Sequence, residues 1–235
     1  MILQRPSAAR GEVHLDWLHS RHTFSFGHYY DPAWMGFGVL RVINEDTVAP
    51  GGGFAPHRHA NMEILSVVLS GALTHRDSTG NEGVIRAGEV QWMSAGHGIE
   101  HSEYNASADA PVHFLQIWLQ PDRLNYAPAY ASRPFPPEQR RGRWVCLAAP
   151  DGAEGGLPIR QQAWLRAARL QAQARLSAEL EPAHRYWLHV ASGTVAVGQQ
   201  RLTAGDALGW VGEHGSLQLQ GLADDSEVLL FTLPA

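Results

Sequence analysis

Gly51-Gly52-Gly53-Phe54-Ala55-Pro56-His57-Arg58-His59-Ala60-Asn61-Met62-Glu63 and, further on, Gly98-Ile99-Glu100-His101-Ser102-Glu103-Tyr104-Asn105 decide the reading of this chain. His57 and His59 stand two apart, as do His101 and Glu103, and residues i and i+2 of an extended strand project from one face. Each stretch is therefore a two-pronged clamp. Three imidazoles with a carboxylate suit a first-row divalent metal, and four donors on an ion that prefers six leave positions open for water, substrate or dioxygen. A phosphate-cradling role for the three glycines would need a helix next, which Pro56 and the His-x-His pair oppose.

Working outward, Gly51 lies six residues before His57, Glu63 four after His59, Gly71 at the turn after the next apolar run, and Asn105 four after His101. Together these are similar to the two sequence motifs of the cupin superfamily. Most cupins carry the first-motif glutamate five residues after the second histidine. A shift of one residue turns a strand side chain to the opposite face, so Glu63 is expected to point away from a metal. The carboxylate then comes from Glu103. That arrangement resembles the pirin family, and the resemblance extends through residues 22–26, 29–32, 40–44, 92–96 and 101–103, covering most of residues 15–120.

The resemblance implies an all-β bicupin of two tandem jelly-roll barrels, with one divalent metal held by His57, His59, His101 and Glu103. Fe(II) is the expected ion, and zinc, nickel, copper, manganese or cobalt are alternatives that a purified sample can carry. It further implies a quercetin 2,3-dioxygenase type of reaction, with a flavonol-like substrate, dioxygen, and Glu103 as the group that takes the substrate's hydroxyl proton. The alternative is a non-catalytic, redox-responsive metalloprotein that acts through a protein partner. An open, partly apolar pocket beside the ligands would favour the enzyme; a sealed site with an exposed apolar patch elsewhere would favour the regulator.

Composition narrows the classes. The formal charge of −5 gives no electrostatic reason for contact with nucleic acid or anionic lipid, and 24 glycines with 14 prolines point to many turns. A single cysteine, Cys146, excludes an intrachain disulfide and reads as a small buried residue. The first ten residues lack the apolar run of a signal peptide, and no stretch is long enough to span a membrane, so a cytoplasmic location is expected. His14, His19, His22 and His28 make no repeated clamp, and no second metal is expected there.

Alternation and turn residues predict strands at 35–43, 63–69, 72–75, 90–93 and 112–119. Residues 121–142, with five prolines, read as a linker that includes a solvated basic cluster, Arg140, Arg141 and Arg143. The expected domains are thus residues 1–120 and 143–235. Within the second, residues 164–180 pose a conflict, since strong helix formers there repeat with period two. From Ala168 to Leu180 every even position is Ala or Leu and every odd one polar, which predicts strands broken near residue 174, with Glu179 in solvent. A repeat supports this, because residues 87–98 align with 204–215 and Ser70-Gly71 with Ser192-Gly193. The repeat sets Gln218 and Gln220 where His101 and Glu103 stand and Glu179 and Glu181 opposite His57 and His59, so the second domain is expected to hold no metal. It also gives His97 a counterpart, His214, and hence a turn role.

Overall fold

The computed structural model describes residues 1–235, and apart from three single-turn 3-10 helices every regular element is a β-strand. The chain divides into two compact units: Gly11–Phe135 with Leu157–Gln161, and Met1–Arg10 with Pro136–Gly156 and Gln162–Ala235. Each is a cupin barrel of one large and one four-stranded sheet.

In the first unit the small sheet runs Gly53–His59, Ile99–Asn105, Ala72–Asp77, Glu82–Arg86. The large one runs Ala129–Pro134, Glu89–Ser94, Glu63–Ser70, Val112–Leu119, Leu40–Val48, Leu18–His22, Gly11–His14. Leu18, Val48, Val68, Leu73, Ile85, Val112 and Phe114 form one buried cluster; Ile64, Met93, Ala95 and Ile99 form another. The strand predicted from Met35 begins only at Leu40, because Gly36 and Gly38 hold left-handed conformations (φ 154° and 58°) that break the ladder.

In the second unit the small sheet runs Arg175–Leu180, Gly215–Gly221, Thr194–Val197, Gln200–Thr203, and its large sheet includes, in order, Ile2–Arg5, Ala207–Val211, His184–Ser192, Ser226–Pro234, Trp164–Leu170 and Val145–Pro150. Residues 164–180 are two strands with a turn between them, where Gln173 adopts φ 68°. Ala168, Leu170 and Leu180 are buried and Glu179 is exposed, so period two outweighed helix propensities worth a few tenths of a kcal/mol each. Cys146 is buried, which lifts its thiol to about 11.

Two boundaries differ from expectation. Residues 1–10 belong to the second unit, not the first: Ile2–Arg5 pairs antiparallel with Ala207–Val211 and covers an edge that would otherwise stay open. The supposed linker is largely structured. Ala129–Pro134 pairs with Glu89–Ser94 as the outermost strand of its sheet, the place where proline is tolerated. Nor is the basic cluster fully solvated, since Arg140 is buried against Glu227 at 2.5 Å, with Arg169 on the other carboxylate oxygen at 3.1 Å. No helix is long and apolar enough to cross a membrane.

Candidate metal centre

The two motif strands are neighbours, with His101 paired to His57 and Ile99 to His59. A bulge between His101 and Glu103 shifts the register, so Glu103 faces Phe54 on one side and His75 on the other. The His57 ring centroid lies 4.8 Å from that of His59 and 4.4 Å from that of His101, and His59 and His101 are 4.9 Å apart. One ligand atom from each falls within 4.8 Å of the others.

Local contacts decide which nitrogen is free. His57 Nδ1 is 2.8 Å from the Ala55 carbonyl, a bond that needs a proton on Nδ1 and leaves the Nε2 lone pair available. Burial, followed by the neighbouring His57, lowers His59 to about 4; burial followed by His57, His59 and His75 lowers His101 to about 2. Both imidazoles are neutral at pH 7 and able to ligate. His101 is the telling residue. It is buried, and neither of its ring nitrogens has a hydrogen-bond partner. An imidazole desolvated without compensation is costly, and a cation shared with His57 and His59 supplies the missing interaction. The donor set therefore fits a divalent transition metal.

Glu103 reaches the same place from deeper in the barrel. A second triad, His75, His101 and Glu103, also has ligand atoms within 4.8 Å of one another, and His101 belongs to both. The Glu103 carboxylate accepts hydrogen bonds from Ser66 Oγ (3.2 Å) and Gln91 Nε2 (3.2 Å) on Oε1 and from Gln116 Nε2 (2.7 Å) on Oε2. Burial pushes its carboxyl up to about 7 against the opposing effect of those bonds. Sequence reasoning missed His75, whose Nε2 contacts Asp77 at 3.1 Å and whose ring stacks on Tyr130 at 4.7 Å. The alternation of Leu73, His75 and Asp77 on the buried face was the available signal.

Other expected residues fall outside the centre. Glu63 is buried away from the triads and accepts from Trp92 Nε1 (2.7 Å), Ser94 Oγ (2.5 Å) and the Arg160 backbone (3.0 Å). His97 is exposed in a turn, its N–H donating to the Tyr126 carbonyl. In the histidine-rich region strand pairing does what spacing did not foretell: His14 and His19 stack at 4.0 Å, and both Nε2 atoms lie against the same Glu12 oxygen. A cavity of about 630 Å³ opens beside His59, lined also by Arg58, Ser78, His97, Ile99 and Glu100.

Comparing the barrels shows what the site required. Gly71 and Gly193, and likewise Gly88 and Gly205, hold matching left-handed conformations (φ 77° and 76°, 84° and 83°) that fix equivalent turns. Counted from them, Ser66, Gln91 and His75 correspond to Leu188, Leu208 and Val197. Across the paired strands, Gln116 corresponds to Leu230 and Glu103 to Leu219. At these five positions one barrel is polar and the other apolar. The repeat's placement of Gln218 and Gln220 at the ligand positions is off by one residue, because Leu217 and Leu219 point inward there, opposite Ala178 and Leu176. Gln218 and Glu179 are exposed.

Two family models match the chain, one described as Pirin over residues 4–119 and one described as Quercetinase C-terminal cupin domain over residues 146–233. A Pseudomonas aeruginosa relative provisionally named a quercetin 2,3-dioxygenase is 45% identical over 231 residues, 98% of each chain. The Escherichia coli K12 protein named quercetin 2,3-dioxygenase is 41% identical over 235 residues, 100% of this chain and 99% of its own. Among solved structures, YhhW from Escherichia coli superposes with a TM-score of 0.94 at 40% identity, covering 100% of this chain and 98% of that one. The same bacterial pirin solved in complex with nickel(II) gives 0.93 at 39% identity, with 100% and 99% covered. The chain belongs to the pirin family.

Proposed function

We propose that the first barrel is the metal centre of a dioxygenase that opens the heterocycle of quercetin-like flavonols, with Fe(II) held by His57, His59, His101 and Glu103 in a cytoplasmic protein. The observation that carries this reading is His101, buried and unpartnered on both nitrogens where two further imidazoles and a carboxylate converge. The open cavity beside His59 favours an enzyme over a sealed regulatory site, and its volume suits a small organic substrate. The names of the relatives supply the substrate class. A divalent iron bound there would supply Lewis acidity towards a phenolate and a redox partner for dioxygen.

The chain's own residues set the rest. His57 and His59 are half-buried whereas His101 and Glu103 are buried, so a flavonol would approach from the side of the histidine pair, with its 3-hydroxyl and neighbouring carbonyl leading. Glu103 takes the hydroxyl proton, its orientation fixed by Ser66, Gln91 and Gln116. Burial raises this carboxyl to about 7 in the metal-free site, and a bound divalent cation would return it to the ionised form that can accept a proton. In the overall reaction dioxygen adds across the heterocycle, the two bonds to C3 break, and that carbon leaves as carbon monoxide.

Metal analysis of full-length protein reconstituted anaerobically with Fe(II) tests the ligand set. One iron per chain is expected, with near-complete loss in His57→Ala and His101→Ala and none in Glu63→Gln. Retention of iron in both histidine variants would refute it.

A further inference from the structure

The second barrel keeps a mouth although Leu219 and Val197 stand where the first has Glu103 and His75. Trp164, Thr232 and Tyr186 are register partners on three adjacent strands, and the corresponding row of the first barrel is Val42, Trp118 and Ile64. Adjacent strands lie about 4.8 Å apart, so a small threonine between two aromatic residues leaves a slot where the other barrel has a central tryptophan. A cavity of about 400 Å³ occupies that place, floored by Leu230 and closed by Trp144 and, from the facing sheet, Ala178. Its lining charges are three carboxylates, Glu154, Glu179 and Glu181, against one guanidinium, Arg166. Glu154 already neutralises Arg166, at 2.7 Å. Glu179 and Glu181 remain at the rim, Glu181 only 3.7 Å from His184.

We propose that this cavity is a binding site for a small organic cation whose charge is wrapped in methyl or methylene groups. Aromatic walls attract such a cation by their π faces, and desolvating it is cheaper than desolvating a bare ammonium. The net charge of the lining disfavours carboxylates and phosphates as occupants. The inference is independent of the metal chemistry of the first barrel.

Calorimetric titration of the full-length protein with choline, with its uncharged isostere 3,3-dimethylbutan-1-ol and with benzoate tests it. Choline should bind about tenfold more tightly than the isostere, the size of a cation–π preference, and benzoate should not bind. Trp164→Ala should weaken choline about tenfold or more, and the surface pair Glu179→Gln with Glu181→Gln severalfold; the latter carries the test if Trp164→Ala fails to fold. His57→Ala should leave choline binding unchanged, which separates this site from the metal centre. Equal binding of choline and isostere, tighter binding of benzoate, no binding of choline at tens of millimolar, or insensitivity to the variants would overturn the proposal.

Discussion

His101 and Glu103 show how one strand carries two kinds of residue, a neutral imidazole with a free lone pair and a carboxyl held by three donors. Their titrations act on stability in opposite directions. Glu103 has a folded value of about 7, above its ordinary 4.5, so the metal-free protein loses stability through this group as pH rises from 4.5 through 7. His59 and His101 are depressed to about 4 and about 2, so their contribution is complete above 6.5 and is lost as pH falls below it. Metal-free Glu103→Gln should therefore be more stable than metal-free wild type at pH 8, by up to about 3 kcal/mol, with the difference gone near pH 4.5. Denaturant titrations at both pH values check this. Turnover per bound metal in Glu103→Gln should also fall by about 10²–10⁴-fold if the carboxylate takes the substrate proton; unchanged turnover per metal would remove that role. The His57, His59 and His101 group, which the fold brings together, was legible from the spacing of the two motifs. His75 was not, because a lone histidine carries no motif until strand pairing sets it beside Glu103.

At the scale of the element, the strands Trp164–Leu170 and Arg175–Leu180 are the clearest case of pattern over propensity. If burial of one face holds them, Leu180→Ala should cost about 2–5 kcal/mol, whereas Glu179→Ala should stay within about 0.5 kcal/mol in chemical denaturation. Comparable losses would mean that both faces are packed. The turns were equally readable, since Gly71, Gly88 and Gly193 sit where left-handed backbone is needed. Gly193→Ala would place its Cβ 2.4 Å from Ser226 Oγ, so it should destabilise by more than the roughly 1–2 kcal/mol of the conformational penalty alone. What escaped sequence reading was pairing across long separations. Ile2–Arg5 carries no local sign that its partner lies some two hundred residues on, and the prolines of 121–142 disguised an edge strand.

At the scale of the whole molecule, two barrels share turns and register but differ in what fills them. Ser66, Gln91, Gln116, His75 and Glu103 cannot be buried without partners, and they find them in one another and, for His75, in Asp77. Leu188, Leu208, Leu230, Val197 and Leu219 need none, so the second barrel repeats the fold without the polar cluster. We propose that this polar cluster serves flavonol oxygenation, and aerobic turnover of quercetin by protein reconstituted anaerobically with Fe(II) is the decisive measurement. One carbon monoxide should be released per quercetin consumed, at a rate proportional to bound iron and abolished in His101→Ala. Iron-loaded protein inert towards quercetin and every other flavonol would contradict it and favour the regulatory alternative.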